Sequence, residues 1–517
     1  MTMQQDGVWP EAIRFDAPDG LRSDGGGPST TATRKITGRL QAGAPDWVYL
    51  PVIVPEGATS IAAGYEYSRP EVADGAVGNA CDLGVFDPRG FELGGDGFRG
   101  WSGGARTAFL ISEQAATPGY LPGPVSAGSW HVVLAPYTVG VEGMDFTVTV
   151  AIGFGPDSID LTADAVSDDG QPRVLSRRST PPPQRVDGRG AGWYRGDSHL
   201  HSIYSDGRRT PDRIAELARA GGLDFMISTE HNTPAAHPVW GDLAGDDLLI
   251  ITGEEVTTRN GHLLALGIAP NSWVDWRFRA GDDQLLRSAP RAARTDRLTE
   301  RIHDLGGIAV AAHPYGGCIG CFWKFGYADV DAVEVWNGPW GVQNECAVAT
   351  WDNLLVSGDR DRWLPAMGNS DAHAESDVVG LPQTVVYAAE LSSSAITSAI
   401  AAGRSWIAES GAVDLEFTAE TAGGRAGIGE RLSADRQATI TITARVSGVP
   451  NGRLRLITDQ GELHAAPIDE SGRAEINWQT TASLSAYVRL EVRHPMPAGM
   501  PLPFGPMAAL TNPIFLG

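Results

Sequence analysis

The chain contains eleven histidines, and six of them stand at the ends of short apolar runs. The first such stretch is GDSHLHSIYSDG (residues 196–207), which holds His199, His201 and Asp206. In an extended strand, residues i and i+2 point to the same face, so both imidazoles would aim at one place. Neutral imidazole is a common metal ligand in proteins. A single HxH pair also occurs by chance on protein surfaces, so a metal site requires further ligands.

Further nitrogen and oxygen ligands follow later apolar runs of the same segment. Glu254 lies in LLIITGEEV, and Glu230 stands beside a histidine after DFMIST. The complete set of predicted ligands is His199, His201, Asp206, His231, Glu254, His262, His313, Asp371 and His373. Nine such ligands without cysteine suit two or three divalent ions such as Zn, Mn or Fe. The alternative is a group of hydrogen-bonded polar residues at the mouth of a barrel.

The elements that must position these residues alternate between apolar runs and helices over residues 193–410. One predicted helix starts at Thr210-Pro211, because threonine is a good N-cap and proline is favoured at the first helical position. A second helix is predicted over residues 295–305. Alternating strands and helices favour a parallel sheet or a barrel. In such folds, functional groups gather at the carboxyl ends of the strands.

The segments on either side of this α/β region have β patterning. Residues 35–158 and 411–517 show short alternating runs interrupted by glycine and proline, which predict an N-terminal β-sandwich and a small C-terminal β-sandwich. Residues 1–34 are predicted to be flexible, and residues 159–192, which include PPP, to form a linker. The predicted architecture is multidomain, α/β plus all-β.

Composition limits the partners of the chain. The 517 residues carry a formal net charge of −23, which repels phosphate backbones and argues against nucleic-acid binding. No apolar run is long enough to span a bilayer, and the N-terminus lacks the features of a secretory signal. We therefore expect a small-molecule substrate, no membrane partner and a cytoplasmic location, and the oligomeric state is not indicated.

The cysteines do not indicate a disulfide scaffold, because there are only four in the chain. Cys318 and Cys321 form one CxxC motif without a second pair, so a structural zinc site is weakly indicated. We expect these two residues to be free thiols in a loop.

Five motifs of the α/β region, in order, resemble those of the PHP (polymerase and histidinol phosphatase) superfamily. They are HLHSIYSDG, TEHN, GEEV followed by GHLLALG, AHPYGG and NSDAH. The flanking β segments, with WNGPW and the ending ALTNPIFLG, resemble the carbaryl-hydrolase-like (CehA/McbA) branch. The resemblance implies a distorted (β/α)7 barrel with two or three metal ions at the mouth formed by the strand ends.

The resemblance also implies a role for each ligand. His199, His201, Glu254 and Asp371 would hold a first ion, which Glu254 would bridge to a second ion held by His262 and His313. The remaining ligands, Asp206, His231 and His373, would hold a third ion. A hydroxide bridging two ions would be the nucleophile, and Glu230 could orient a ligand from outside the coordination sphere.

The reaction that the resemblance favours is hydrolysis of phosphate mono- or diesters. Cationic groups that could clamp a phosphate are Arg208, Arg209, Arg277, Arg279 and Lys324, although each could instead be an ordinary surface charge. The alternative is hydrolysis of a carboxyl ester, amide or aryl carbamate in a pocket walled by loop aromatics such as Phe322 and Trp323. Those aromatics could equally seal the barrel against the β domains. A non-catalytic binding protein is a third hypothesis.

Overall fold

The computed structural model describes residues 14–15, 31–72, 78–155, 176–177, 180–277, 292–318, 320–358, 362–497, 499 and 504–517. Within these residues the chain is mostly β, with thirty strands and four α-helices. No helix in the described ranges has the length and apolarity needed to cross a membrane.

The N-terminal segment forms two antiparallel sheets. Its strands are β1 (Arg14–Phe15), β2 (Thr31–Leu40), β3 (Val48–Val54), β4 (Ser60–Tyr67), β5 (Ala80–Phe86), β6 (Phe98–Gly103), β7 (Ala108–Ser112), β8 (Ala115–Ala116), β9 (Gly128–Thr138), β10 (Met144–Gly153) and β11 (Ser176–Arg177). One sheet has the order β1-β2-β10-β4-β7-β8-β11 and the other β3-β9-β5-β6. Alternate residues of β10, such as Phe146 and Val148, are buried with Ile36 and Trp130 between the sheets.

The middle segment supplies the strands that carry the predicted ligands. Its elements are β12 (Gly192–Asp197), α1 (Pro211–Ala220), β13 (Phe225–Ser228), a short 3-10 helix (Val239–Asp242), β14 (Leu249–Thr258), β15 (Gly261–Leu266), α2 (Ala292–Asp304), β16 (Ile308–Ala311), β17 (Ala332–Asn337), α3 (Val342–Ser357), β18 (Ala366–Asn369), β19 (Gln383–Ala388), α4 (Ser393–Ala401) and β20 (Ser405–Ala408). The strands lie in the order β18-β17-β16-β15-β14-β13-β12-β19-β20.

The prediction of a (β/α)7 barrel is not confirmed, because the sheet is mixed and has too few helices. Strands β12, β13 and β14 are parallel to one another, as are β16, β17 and β18. Between these groups, β14 and β15 form an antiparallel hairpin closed at Thr258 and Gly261, where the positive φ of 122° suits glycine. A tight hairpin leaves no room for a crossover helix.

The segments that follow β12 and β18 meet beside the predicted ligands, although five strands lie between β12 and β18 in the sheet order. Leu200, after β12, forms a parallel bridge with Ala372, after β18. The backbone N–H of Asp371 donates to the carbonyl of His199 at 2.8 Å. Farther along, the Thr384 hydroxyl of β19 donates to the carbonyl of Gly368 in β18 at 2.7 Å. The ligand-bearing segments after β12 and β18 are therefore held against each other.

The C-terminal segment continues the same sheet. Its strands are β21 (Asp414–Thr421), β22 (Gly424–Gly427), β23 (Arg431–Leu432), β24 (Ile440–Ser447), β25 (Arg453–Thr458), β26 (Gly461–Pro467), β27 (Ala474–Thr480), β28 (Tyr487–Arg493), β29 (Met507–Thr511) and β30 (Ile514–Leu516). Strand β20 pairs with β29, and the sheet goes on through β28, β25 and β26. A separate sheet, β22-β21-β24-β27, packs on it. The sheet is therefore not interrupted at the predicted boundary after residue 410.

Loop aromatics pack between the N-terminal sheets and the middle segment. Trp273 stacks on Phe98 with 4.0 Å between ring centroids, and Trp276 meets Trp101 edge-on at 4.8 Å. These four rings belong to a buried core that also includes Phe515 of the C-terminal strands. Trp273 and Trp276 therefore act as part of the seal between segments rather than as pocket walls.

A buried ionic network ties the C-terminal strands to α3. Glu491, 3 % exposed, accepts hydrogen bonds from Arg489 and Arg493, each at 2.9 Å. Arg489 also donates to Asp352 in α3 at 2.7 Å. Burial alone raises the pKa of the Glu491 carboxyl, but the surrounding guanidinium groups outweigh it and lower the pKa to about 2. The carboxylate is therefore charged at neutral pH and compensates buried cations.

We expect Glu491→Ala to lower the free energy of unfolding by about 3–5 kcal/mol, because it leaves buried guanidinium groups without a partner. The matched control is Glu416→Ala, whose side chain is 72 % exposed and pairs with Arg445. Its cost should be below about 1 kcal/mol. Urea unfolding followed by circular dichroism measures both, and equal costs would contradict the structural role of Glu491.

Candidate metal centre

Nine side chains with metal-binding atoms converge at the strand ends of the middle segment. They come from loops after β12, β13, β16 and β18 and from β14 and β15 themselves. The nine, called the ligand cluster below, are His199, His201, Asp206, His231, Glu255, His262, His313, Asp371 and His373. Eight of them are predicted from the sequence, and Glu255 replaces Glu254. The parallel strands bring their carboxyl ends to one edge, which is why residues far apart in sequence meet.

The first group in the cluster consists of His199, His201, Glu255 and Asp371. The Nε2 atoms of both histidines lie 3.2–3.3 Å from Glu255 Oε2 and 3.2 Å from Asp371 Oδ1. All four atoms are buried, and none makes a hydrogen bond within the described part of the chain. Four ligand atoms about 2.0 Å from a tetrahedral ion are separated by about 3.3 Å. The spacing of the group therefore fits a divalent ion at its centre.

The second group uses the other oxygen of Glu255. Glu255 Oε1 lies 2.8 Å from His262 Nδ1 and 3.0 Å from His313 Nε2. Burial lowers the pKa of His262 to about 4 despite the nearby carboxylate, so this imidazole is neutral at neutral pH, as a metal ligand requires. One carboxylate thus faces two groups of histidines, as a ligand bridging two ions would.

The third group lies nearer to solvent. Asp206 Oδ1 is 3.3 Å from His373 Nε2 and 3.5 Å from His231 Nε2. The Asp206 side chain is 45 % exposed, whereas His199 and His201 are fully buried. For His373, burial lowers the pKa, but the carboxylates of Asp206 and Asp371 outweigh it and raise the pKa to about 10. A cation at this position competes with that proton, so its binding weakens as the pH falls.

The structure does not bring Glu254, the predicted bridging ligand, into the cluster, and the neighbouring residue Glu255 lies there instead. Successive residues of a strand point to opposite faces, and Glu255 shares its face with Thr257, whose hydroxyl lies 2.6 Å from His231 Nδ1. Glu254 points away and accepts a hydrogen bond from the backbone N–H of Val274 at 2.9 Å. Burial holds the pKa of Glu254 well above its usual range, which disfavours the charged form of its carboxyl.

Sequence reasoning missed Glu334, which orients ligands from behind. This fully buried residue of β17 lies with its Oε1 atom 3.0 Å from His199 Nδ1. Its Oε2 atom accepts from the backbone N–H of His313 at 2.9 Å, and the amides of Asn337 and Asn369 donate to the same carboxylate. The carboxylate selects the tautomer that leaves His199 Nε2 free for a metal. The one signal in the sequence is an acidic residue inside the apolar strand AVEVWN.

Glu230, predicted to orient a ligand from outside the coordination sphere, lies behind His201 in the structure. Ser205 Oγ donates to Glu230 Oε2 at 2.6 Å and lies 3.3 Å from His201 Nδ1. The backbone N–H of Ser202 donates to the same carboxylate at 3.1 Å. Glu230 therefore holds the loop that carries His201 and does not itself enter the cluster.

Two of the ligands have left-handed backbone conformations. Asp371 has φ of 50° and His313 has φ of 23°, a region that residues other than glycine rarely occupy. The strained turn at Asp371 is held by the Asn337 amide, which donates to Asp371 Oδ2 at 3.1 Å. Such strain is found where side-chain placement outweighs backbone preference, as at functional sites.

Two of the five predicted phosphate clamps, Arg209 and Arg277, have other roles in the structure. Arg209 is 4 % exposed and donates to the backbone carbonyls of Glu375 and Asp377. Arg277 is fully buried, where it pairs with Asp275 at 2.8 Å and donates to the Tyr49 hydroxyl at 2.8 Å. Arg209 thus links two backbone carbonyls, and Arg277 links the middle segment to Tyr49 of the N-terminal sheets. Neither guanidinium is available to a substrate.

The other predicted substrate contacts in the described residues are more exposed than Arg209 and Arg277. Arg208 is exposed, and its backbone N–H donates to the carbonyl of His373 at 2.8 Å, which puts it beside the third group. Lys324 is exposed, with Nζ 3.4 Å from the carbonyl of Arg259. Trp323 is half-buried. It lies next to the cluster, because a Cβ atom built on Gly261, the residue before His262, would be 2.9 Å from its indole. Arg279 lies outside the described residues.

We expect Glu255→Gln to abolish tight binding of divalent ions, because it removes a negative charge and one of the oxygens shared by two ligand groups. The adjacent control Glu254→Gln should keep the metal content of the parent protein, since that carboxyl faces away from the cluster and accepts a hydrogen bond from the backbone N–H of Val274. Elemental analysis of the purified, folded variants measures this. Loss of metal in Glu254→Gln with retention in Glu255→Gln would contradict the assignment.

Comparisons with known proteins show distant similarities. No family model matches the chain. The uncharacterized protein MJ1587 of Methanocaldococcus jannaschii is 25 % identical over 154 residues, covering 27 % of this chain and 80 % of that protein. A two-domain protein of Bacteroides vulgatus containing a predicted PHP-like metal-dependent phosphoesterase is 16 % identical, with 66 % of this chain and 99 % of that chain covered and a TM-score of 0.34. An amidohydrolase from Chromobacterium violaceum is 18 % identical, and the match covers 36 % of this chain and 89 % of that chain with a TM-score of 0.23. Similarity at this level does not assign the chain to a family.

Proposed function

We propose that the protein is a multinuclear metal-dependent hydrolase that cleaves phosphate mono- or diesters. The observation that carries this proposal is the first ligand group, in which four buried atoms without hydrogen bonds converge at 3.2–3.3 Å. Polar atoms buried in this way are costly unless a partner satisfies them. Two or three divalent ions, of Zn, Mn or Fe, would be that partner.

Residues of the cluster would hold the ions, and residues behind the cluster would orient its histidines. Glu255 links the first and second groups, and Glu334 and Glu230 keep their histidines in the required orientation. When bound, divalent ions supply Lewis acidity and activate water at neutral pH, so no serine or cysteine nucleophile is needed. The third group, at the exposed edge, is where a substrate would first meet the site.

The charge of the cluster favours an anionic substrate. Asp206, Glu255 and Asp371 carry three negative charges together, and two or three divalent ions carry about four to six positive charges. The loaded centre is then cationic within a chain whose net charge is −23. A small phosphoester can enter such a site, whereas the acidic surface repels a nucleic acid. Arg208 is the one arginine among the predicted clamps that the described structure leaves exposed beside the site.

A second candidate function, hydrolysis of a carboxyl ester, amide or aryl carbamate, is favoured by the aromatic loop after β16. Phe322 is 50 % exposed, and Trp323 packs on Gly261, which precedes the cluster residue His262. These two rings could bind an apolar leaving group at the edge of the site. A non-catalytic binding protein, the third hypothesis, has no observation in its favour beyond the β-rich flanking segments.

We expect the protein loaded with Mn²⁺ or Zn²⁺ to release nitrophenol from a phosphate mono- or diester and not from a carboxyl ester or an aryl carbamate. His201→Ala should lose nearly all turnover, because it removes a ligand of the first group. The control variant His464→Ala changes an exposed histidine of β26 and should retain the turnover of the parent protein. Turnover of the carbamate alone would favour the second candidate, and no turnover of any ester would favour a binding protein.

Two variants separate the candidates on the substrate side. For a phosphoesterase, Arg208→Ala should lower kcat/KM about 10–100-fold, the value of one charge-assisted hydrogen bond, and Trp323→Ala should have a smaller effect. For a carbamate hydrolase the order of the two effects is reversed. Steady-state kinetics of both variants on the preferred ester measures this, with metal content checked for each.

A further inference from the structure

One face of the N-terminal sheet β3-β9-β5-β6 packs against the middle segment, and Asp82 lies on that face. The neighbouring residue of β5, Leu83, points the other way and is buried in the core of the sandwich. Asp82 pairs with Ala135 of β9, and residues paired directly across two antiparallel strands share a face. Ala135 belongs to the core that joins the N-terminal sheets to the middle segment. Asp82 therefore points toward the segment that carries the ligand cluster.

Loops of the N-terminal sheets contact the loops that carry cluster residues. The guanidinium of Arg106 donates to the carbonyl of Ile203, which lies between two cluster residues in the loop after β12. The hydroxyl of Thr233, in the loop after β13, donates to the carbonyl of Gly119 at 2.8 Å. A Cβ on Gly119 would lie 2.9 Å from the carbonyl of Tyr204, so the two backbones are in close contact. The N-terminal segment therefore borders the site along both loops.

The tip of the β14–β15 hairpin, between cluster residues of the two strands, is held by the same sheet. Arg259 donates to the carbonyl of Pro136 in β9 and pairs with Asp46 at 2.9 Å. Its guanidinium also lies over the ring of Tyr137, 5.3 Å from the centroid. The Tyr137 hydroxyl fills the space that a Cβ on Gly320, in the loop after β16, would occupy. The sheet that carries Asp82 thus forms one wall of the site.

The Asp82 carboxyl has no hydrogen bond or ion pair with any described residue. The residue is half-buried, and burial raises the pKa of its carboxyl to about 7, although attraction to Arg259 and His231 opposes this rise. The charged and titratable groups that interact electrostatically with Asp82 are Arg259 and His231 of the middle segment and Tyr65, Cys81, Tyr120 and Tyr137 of the N-terminal sheets. His231 belongs to the third ligand group, so the carboxyl lies on the side where a substrate would enter.

We propose that Asp82 is the general acid of the site and donates a proton to the leaving oxygen of the substrate. This inference rests on the proposed function and adds the proton donor that the ligand cluster lacks. The oxygen of a water molecule forms a bond to phosphorus, the bond from phosphorus to the leaving oxygen breaks, and that oxygen keeps the electron pair. The Asp82 proton passes to it, which gives an alcohol and leaves a carboxylate. The attacking water releases a proton to solvent, from which the carboxylate is protonated again.

A general acid matters most when the leaving group is poor. Nitrophenolate is a stable anion that leaves without a proton, whereas the alkoxide of an aliphatic alcohol is strongly basic and requires one. The role of Asp82 therefore predicts that the protein cleaves phosphate esters of aliphatic alcohols, and not only activated aryl esters.

Leaving-group dependence tests this role in the full-length protein loaded with Mn²⁺. We expect Asp82→Asn to lower kcat about 100-fold or more for glycerol phosphate and less than about threefold for nitrophenyl phosphate, both measured as phosphate release. Asp82→Glu keeps a carboxyl and should recover about tenfold of the loss on glycerol phosphate. The control Asp46→Asn makes the same change at the same interface and should alter both rates by one common factor. Circular dichroism and metal content are checked for each variant.

A titration of the metal-free protein gives a readout that does not depend on turnover. With aspartate labelled by ¹³C at the carboxyl carbon, the resonance that disappears in Asp82→Asn should titrate with a pKa of about 7. An ordinary aspartate pKa of about 4 would leave Asp82 without a proton to donate at neutral pH and would overturn the inference.

The outcomes separate this inference from the proposed function. Equal losses on both esters in Asp82→Asn would indicate a structural role, and unchanged rates would indicate none. Either result overturns the role of Asp82 as the acid and leaves the hydrolase intact. Turnover of neither phosphate ester by the metal-loaded parent protein would overturn both proposals.

Discussion

Five imidazole rings surround one buried carboxylate, and the rest of the middle segment is arranged around that contact. The Glu255 oxygens lie within 3.3 Å of ring nitrogens of His199, His201, His231, His262 and His313. Burial alone raises the pKa of this carboxyl, but attraction to the histidines outweighs it and holds the pKa well below its usual range. An ionised group at such a depth requires compensating positive charge. Protons on the histidines or metal ions between the ligands supply it, and the geometry of the first group fits an ion.

The frame that holds this arrangement extends beyond the ligand-bearing strands. The sheet that carries the ligands continues into the C-terminal strands through the pairing of β20 with β29, and a common aromatic core joins all three segments. Ligand atoms must be held to within a few tenths of an ångström to bind an ion, which loops alone do not achieve. The strained backbone at Asp371 and His313 persists because this frame outweighs local preference.

The flanking segments also engage arginines that could otherwise contact a substrate. Buried arginines at the joints, such as Arg277 and Arg489, are occupied by carboxylates and carbonyls of neighbouring segments. The loop after β16, in contrast, lies beside the cluster, with Trp323 over Gly261 and Cys321 near His313. Under the proposed function, the cluster residues would hold the ions, and the aromatic side chains of this loop would lie at the edge of the site.

The sequence by itself determined the residue types at the site. Histidines and carboxylates at successive strand ends are visible as a pattern, and eight of the nine cluster residues follow from it. The pattern also indicates the β-rich segments on either side, because alternation with period two is a local property. The start of helix α1 is similarly local, since the helix begins at Pro211, as the Thr210-Pro211 pair predicts.

Only the tertiary structure decided between Glu254 and Glu255. Both faces of β14 are buried, so burial shows no alternation that would tell which carboxylate faces the histidines. That choice depends on the pairing of β14 with β15 and on what packs against each face. The roles of Glu334 and Arg277 depend likewise on partners that are 135 and 228 residues distant in the sequence. Long-range packing decides such partners, and a local pattern of residue types carries no information about it.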